Sequence, residues 1–149
     1  MAARHVNRWQ DTQWWLALIA GPVFYFGLFA KGTAYADIAW ISSQLSLFLV
    51  LGLVYPVLEE IVFRGMLQEG LERRLKPGQG FPFSKANIIT SGVFAALHGF
   101  SHAPVWAAAV FLPSLLFGHF KERHGGLASP ILLHAFYNSG YYALFGAPG

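Results

Sequence analysis

The feature that most limits how this chain can fold is an uncharged run from Ile38 to Leu58 that ends directly in Glu59-Glu60-Ile61-Val62-Phe63-Arg64. About 20 apolar residues suffice to cross a bilayer core as a helix. Carboxylates and a guanidinium set against such a run are expensive to bury, so they point to function and to a partner for each charge. The rest of the chain has the same character. It is 55% hydrophobic and 11% charged, where a soluble domain carries roughly 25% charged residues. Seven acids and ten bases in 149 residues are too few to clothe a soluble globule. An integral membrane protein follows, read as a single domain over residues 1–149.

The chain has no cysteine, which excludes disulfides, thiolate metal sites and cysteine nucleophiles. Its few bases are scattered between apolar runs and form no stripe, so no nucleic acid is expected as a partner. They read as determinants of membrane topology. The polar N-terminus with Arg4 and Arg8 precedes an apolar run but no small-residue cleavage site follows it; the run reads as a retained helix rather than a signal peptide.

No alternating barrel pattern is present, and backbone groups in lipid must be satisfied internally, so the spans are helices. The expected fold class is all-α, a polytopic membrane bundle of about six transmembrane helices. Trp14 to Ala30 forms the first and Ile38 to Pro56 the second, with a break or kink at Pro56. Val57 to Leu75, Ala86 to Phe100, Val105 to Phe120 (interrupted by Pro113) and Leu127 to Phe145 follow. Lys31 to Asp37 and Pro77 to Phe83 are loops, and Ser101 to Pro104 is a turn. Treating Val57 to Leu75 as its own crossing brings Glu59 and His98 toward one face. It also places Lys31 and the loops 73–85 and 121–123 on one side, cytoplasmic by the positive-inside tendency, against which Arg4 and Arg8 argue.

Glu60 and Arg64 stand four residues apart and share a helix face. Pairing them neutralises both, which leaves Glu59 for chemistry as a general base. His98 follows Phe94 by four residues, and His134 precedes Asn138 by four. A lone histidine on an apolar helix is most often a packed core residue; two histidines accompanying an in-span carboxylate shift the balance toward function. His134 and Asn138 are neutral donors suited to an oxyanion, or to hydrogen bonds between helices. His5, His102, His119 and His124 fall in tails, loops or span ends and receive no role. Glu59, His98 and His134 would also suffice as zinc ligands, although the helical HExxH arrangement is absent.

Taken in order, Glu59-Glu60-x-x-x-Arg64 followed by Gly65, Phe94-x-x-x-His98 and His134-x-x-x-Asn138 resemble the CAAX-protease and bacteriocin-processing family of intramembrane proteases (the Abi family). The likeness covers about residues 54–145, the protease-like core. It implies glutamate-dependent hydrolysis of a peptide bond in the membrane without a cofactor. Glu59 with His98 would activate water, His134 and Asn138 would form the oxyanion hole, and Glu60 and Arg64 would hold the first glutamate in place. The compact size resembles small bacterial members of the inner membrane that process C-terminal sorting tails, so the implied partner is a membrane-associated protein with such a tail. Two alternatives stand beside this reading. One is a zinc protease using Glu59, His98 and His134; the other is a non-catalytic immunity or scaffold protein of the same fold.

Overall fold

The computed structural model describes residues 5–30, 38–75, 82–101 and 103–146. The expected loop 31–37, most of the loop 77–83 and His102 lie outside them. Among the described residues the structure is helical and contains no strand. A 3-10 turn at Arg8–Gln10 leads into α1 (Thr12–Ala30) and the short α2 (Ile38–Ser43). Then come α3 (Leu45–Glu72), α4 (Lys85–His98), α5 (Pro104–His124) and α6 (Ala128–Phe145). Among the described residues, α3 is the one helix both long and apolar enough to cross a membrane, and only 22% of its apolar window is buried. Its outer face carries Leu53, Leu58, Ile61, Val62 and Met66 in the open, as a lipid-facing surface would.

The break expected at Pro56 is not there. The chain breaks at Gln44, where the backbone turns to φ −130° and ψ 44°, and α3 then runs through Pro56 without interruption. The physical reason lies one turn earlier. Residues Val50–Val54 are wound as a π-helix, in which the Tyr55 N–H reaches back five residues to the Val50 carbonyl. This looser winding accommodates a residue that lacks an N–H and crowds the preceding turn. Pro22 and Pro113 likewise lie inside α1 and α5 rather than ending them. Membrane helices tolerate proline where neighbouring groups take up the freed carbonyls.

The chain forms two compact units. One comprises Arg8–Leu58 with Ile131–Gly149, thus α1, α2, the first half of α3 and most of α6. Here the carbonyls exposed by Pro56 find side chains. In π register Leu51 would have bonded to the nitrogen of Pro56; its carbonyl instead accepts from Asn138 Nδ2 at 3.3 Å. Ser139 Oγ approaches the Gly52 carbonyl at 3.4 Å. Two tyrosines lock α1 to α6: Tyr137 donates to the Ala17 carbonyl at 2.7 Å, and Tyr25 donates to the Tyr137 carbonyl. Trp40 Nε1 donates to the Tyr142 carbonyl at 3.0 Å and ties α2 to the end of α6.

The other unit comprises Met1–Asn7 with Glu59–Pro130, thus the second half of α3 with α4 and α5. Its core is a polar seam. Glu60, Arg64 and Gln68 are fully buried on α3, as are Asn87, Thr90 and Ser91 on α4 and Ser114 on α5. Gln68 Nε2 donates to the Gly118 carbonyl at 3.2 Å and to Glu122 at 2.7 Å. Asn87 Nδ2 donates to the Leu115 carbonyl at 2.9 Å, and Asn87 Oδ1 accepts from the Ser91 hydroxyl at 3.1 Å. At the wet end, Lys121 pairs with Glu72, and Ser84 both caps α4 and donates to Glu122. Burial pushes the Glu122 carboxyl above the usual carboxylate range, opposed by its bonds from Ser84 and Gln68. α5 then ends on Gly125, whose left-handed backbone (φ 72°) lets its N–H close on the Lys121 carbonyl.

A second π segment, Ile61–Gln68, carries this seam past Arg64. Gly118 is what lets α5 approach it. A Cβ there would lie 2.1 Å from Asn87 Oδ1 and 2.7 Å from Gln68 Oε1. Gly118→Ala is therefore expected to destabilise the protein by about 1–3 kcal/mol or more, read as a lower midpoint in detergent unfolding. An unchanged midpoint would show that α5 is not packed this closely.

Candidate active site

The charged turn of α3 sorts its own residues. Glu60 and Arg64 are both fully buried, with Arg64 Nε donating to Glu60 Oε2 at 3.1 Å. Arg64 Nη2 continues to α5, donating to Ser114 Oγ at 2.7 Å and to the Ser114 carbonyl at 3.1 Å. Arg64 Cζ lies over the Phe94 ring of α4, 5.6 Å from its centroid, close enough for a cation–π attraction. Glu59, one residue earlier, is only half-buried and lies within the field of the Arg64 charge.

Phe94 links the first two motifs. It is 1% exposed, meets Phe63 edge-on with ring centres 4.8 Å apart, and lies 4.4 Å from the His98 ring. Phe63 is one turn beyond Glu59, and Phe94 one turn before His98. Because α3 and α4 run in opposite directions past this contact, Glu59 and His98 fall at the same level. The two residues therefore meet in level without the chain break that the sequence led us to expect at Pro56.

The local geometry of His98 selects its tautomer. Nδ1 is 2.9 Å from the Phe94 carbonyl. A carbonyl only accepts, so Nδ1 carries the proton and Nε2 is the basic nitrogen of the neutral ring. The ring is half-buried, at the end of α4 where the chain leaves the helix.

His134 and Asn138 belong to the other compact unit, one turn apart on α6. His134 is buried, at 4% exposure. One Asn138 amide hydrogen is directed at the Leu51 carbonyl, the bond that Pro56 makes available; the side chain so anchored has a second hydrogen and its oxygen remaining as polar capacity. Among the described residues no group of three or more His, Asp or Glu side chains is gathered as a metal ion would require.

Sequence reasoning missed Phe63 as the ring that seats Phe94, and Ser114 as the second anchor of Arg64. Signals for both existed. Phe63 follows Glu59 by four residues, and Ser114, Gly118 and Glu122 repeat the four-residue spacing of Glu60, Arg64 and Gln68.

Removing one member of a buried pair leaves an uncompensated charge, at a cost of about 3–5 kcal/mol. Glu60→Ala is thus expected to lower the unfolding free energy by that amount. The exposed pair of Arg73 with Glu69 is the control, because such pairs contribute no more than about 1 kcal/mol. Equal, small effects of Glu60→Ala and Arg73→Ala in detergent unfolding would refute the structural role of the buried pair.

The sequence matches the family described as type II CAAX prenyl endopeptidase Rce1-like over residues 40–140, a stretch that contains all three motifs. No curated protein and no solved structure matches the chain. The family match covers most of the chain, including the charged turn of α3, Phe94 with His98, and His134 with Asn138. The chain belongs to the type II CAAX prenyl endopeptidase Rce1-like family of proteases, within the CAAX-protease and bacteriocin-processing group.

Proposed function

We propose that this protein is an intramembrane endopeptidase of glutamic type, with Glu59 as its general base. The observation that carries this reading is the division of labour on α3: Glu60 is spent on Arg64, while the adjacent Glu59 is half-buried and level with His98. Family membership supplies the reaction class.

In this mechanism Glu59 takes a proton from a water molecule, and the resulting hydroxide attacks the scissile carbonyl carbon. His98, proton on Nδ1 and Nε2 basic, accepts a hydrogen bond from that water and orients it. The carbonyl oxygen becomes an oxyanion stabilised by His134 and Asn138. The C–N bond then breaks, and the amine leaves with the proton that Glu59 had taken. Positioned proton transfer of this kind is worth roughly 10²–10⁴-fold in rate, and dry apolar walls strengthen every charge interaction within them.

The setting we propose is a polytopic bundle in a bacterial cytoplasmic membrane, built from about six helices. At six residues, α2 is too short to cross by itself, whereas α3 exceeds the required length. The substrate we propose is a membrane-associated protein cut near its C-terminus, in keeping with a family named for an endopeptidase of C-terminal CAAX sequences. Purified protein in lipid, assayed against candidate tailed proteins, is expected to lose cleavage by at least about 10²-fold on Glu59→Gln and to keep it in the presence of a chelator. Cleavage retained by Glu59→Gln would overturn the assignment. Loss on chelation, restored by zinc, would overturn the metal-free mechanism.

A further inference from the structure

Arg64 is fully buried, yet among the described residues two, Glu60 and Ser114, hydrogen-bond its guanidinium. Nε is held by Glu60 from the same helix at 3.1 Å. Nη2 is held from α5 by Ser114 alone, through its hydroxyl at 2.7 Å and its carbonyl at 3.1 Å. Nη1 has no hydrogen-bond partner among the described residues, and Phe94 beneath Cζ supplies a non-directional attraction that does not fix the group's rotation. A planar fork bound at one nitrogen can pivot. At Nη2 the Ser114 hydroxyl makes the shorter of the two bonds and restrains that rotation more than the longer bond to the carbonyl, which Ser114→Ala would leave in place. Ser114 is fully buried, so its oxygen has no water to compete for this bond.

We propose that Ser114 is a positioning residue for the reaction: by fixing Nη2 of Arg64 it holds the guanidinium and Glu60 in one orientation, and so sets the charge beside Glu59. This rests on the proposed role of Glu59 as base. The neighbourhood supports it. Arg64 acts electrostatically on Glu59, so a pivoting guanidinium would change the field in which the base works. Gly118, one turn along α5, allows the helix to come this close, and Pro113 immediately precedes the serine. A serine serving merely to join two helices would affect stability without touching turnover.

The test uses the full-length protein in lipid with a cleaved substrate. Ser114→Ala is expected to lower kcat roughly tenfold or more, the fold-change of one lost hydrogen bond to a charged group, with KM unchanged. Ser114→Cys keeps the volume but offers only a weak acceptor; it is expected to show the same fall in kcat while melting close to wild type. Ser114→Thr, which keeps the hydroxyl, is expected to restore turnover. Combined with Glu60→Gln, the loss from Ser114→Ala should shrink, because both act through Arg64. Wild-type kcat in folded Ser114→Ala or Ser114→Cys, or a change confined to KM or melting temperature, overturns the proposal. That failure is separable from failure of the mechanism itself: a Glu59→Gln protein that still cleaves defeats the latter whatever Ser114 does.

Discussion

The structure around the candidate site depends on one interaction, the fully buried ion pair between Glu60 and Arg64. Taking two charges out of water costs several kcal/mol per ion, and their attraction repays that only when the remaining donors and acceptors are well placed. The neighbouring helices are arranged to do so. α5 brings the hydroxyl and carbonyl of Ser114 to the guanidinium, and α4 lays the Phe94 ring beneath its Cζ. The same ring seats Phe63 and His98, so the support of the pair and the placement of the histidine are one packing arrangement.

From that pair a line of polar groups runs along α3 through Gln68 to Glu72. It meets a matching line on α5 through Ser114, Gly118 and Glu122. On the α3 side the winding over Ile61–Gln68 is π, whereas α5 is α-helical throughout. π segments are uncommon and often mark functional sites. Here the first accommodates Pro56 and yields a carbonyl to Asn138, and the second carries Arg64 and Gln68 of the polar line.

Much of this was legible in the sequence because charge in an apolar chain is conspicuous. The helical class followed from composition, and the spacing of Glu60 with Arg64 and of Phe94 with His98 named partners that the structure brings together. The break at Pro56 was misplaced, since a rule for isolated helices treats proline as a stop, whereas side chains of α6 here take up the freed carbonyls. The seam residues Gln68, Asn87, Ser114 and Gly118 were missed for a different reason, although the four-residue spacing of Ser114 and Gly118 was a signal. Uncharged polar residues and glycine do not stand out in a membrane helix, and their pairing depends on which helices adjoin. Counting Val57 to Leu75 as its own crossing served to bring Glu59 and His98 toward one face, which the Phe63–Phe94 contact between α3 and α4 does without it.

The central claim is that Glu60 and Arg64 exist for each other, which is what reserves Glu59 for chemistry. The most direct measurement is the unfolding free energy in detergent of Glu60→Leu, Arg64→Met and the double replacement. Each single change strands a buried charge and is expected to cost about 3–5 kcal/mol, while the double change removes both charges and is expected to recover most of that loss. A double variant as unstable as the two single losses added together would contradict the account.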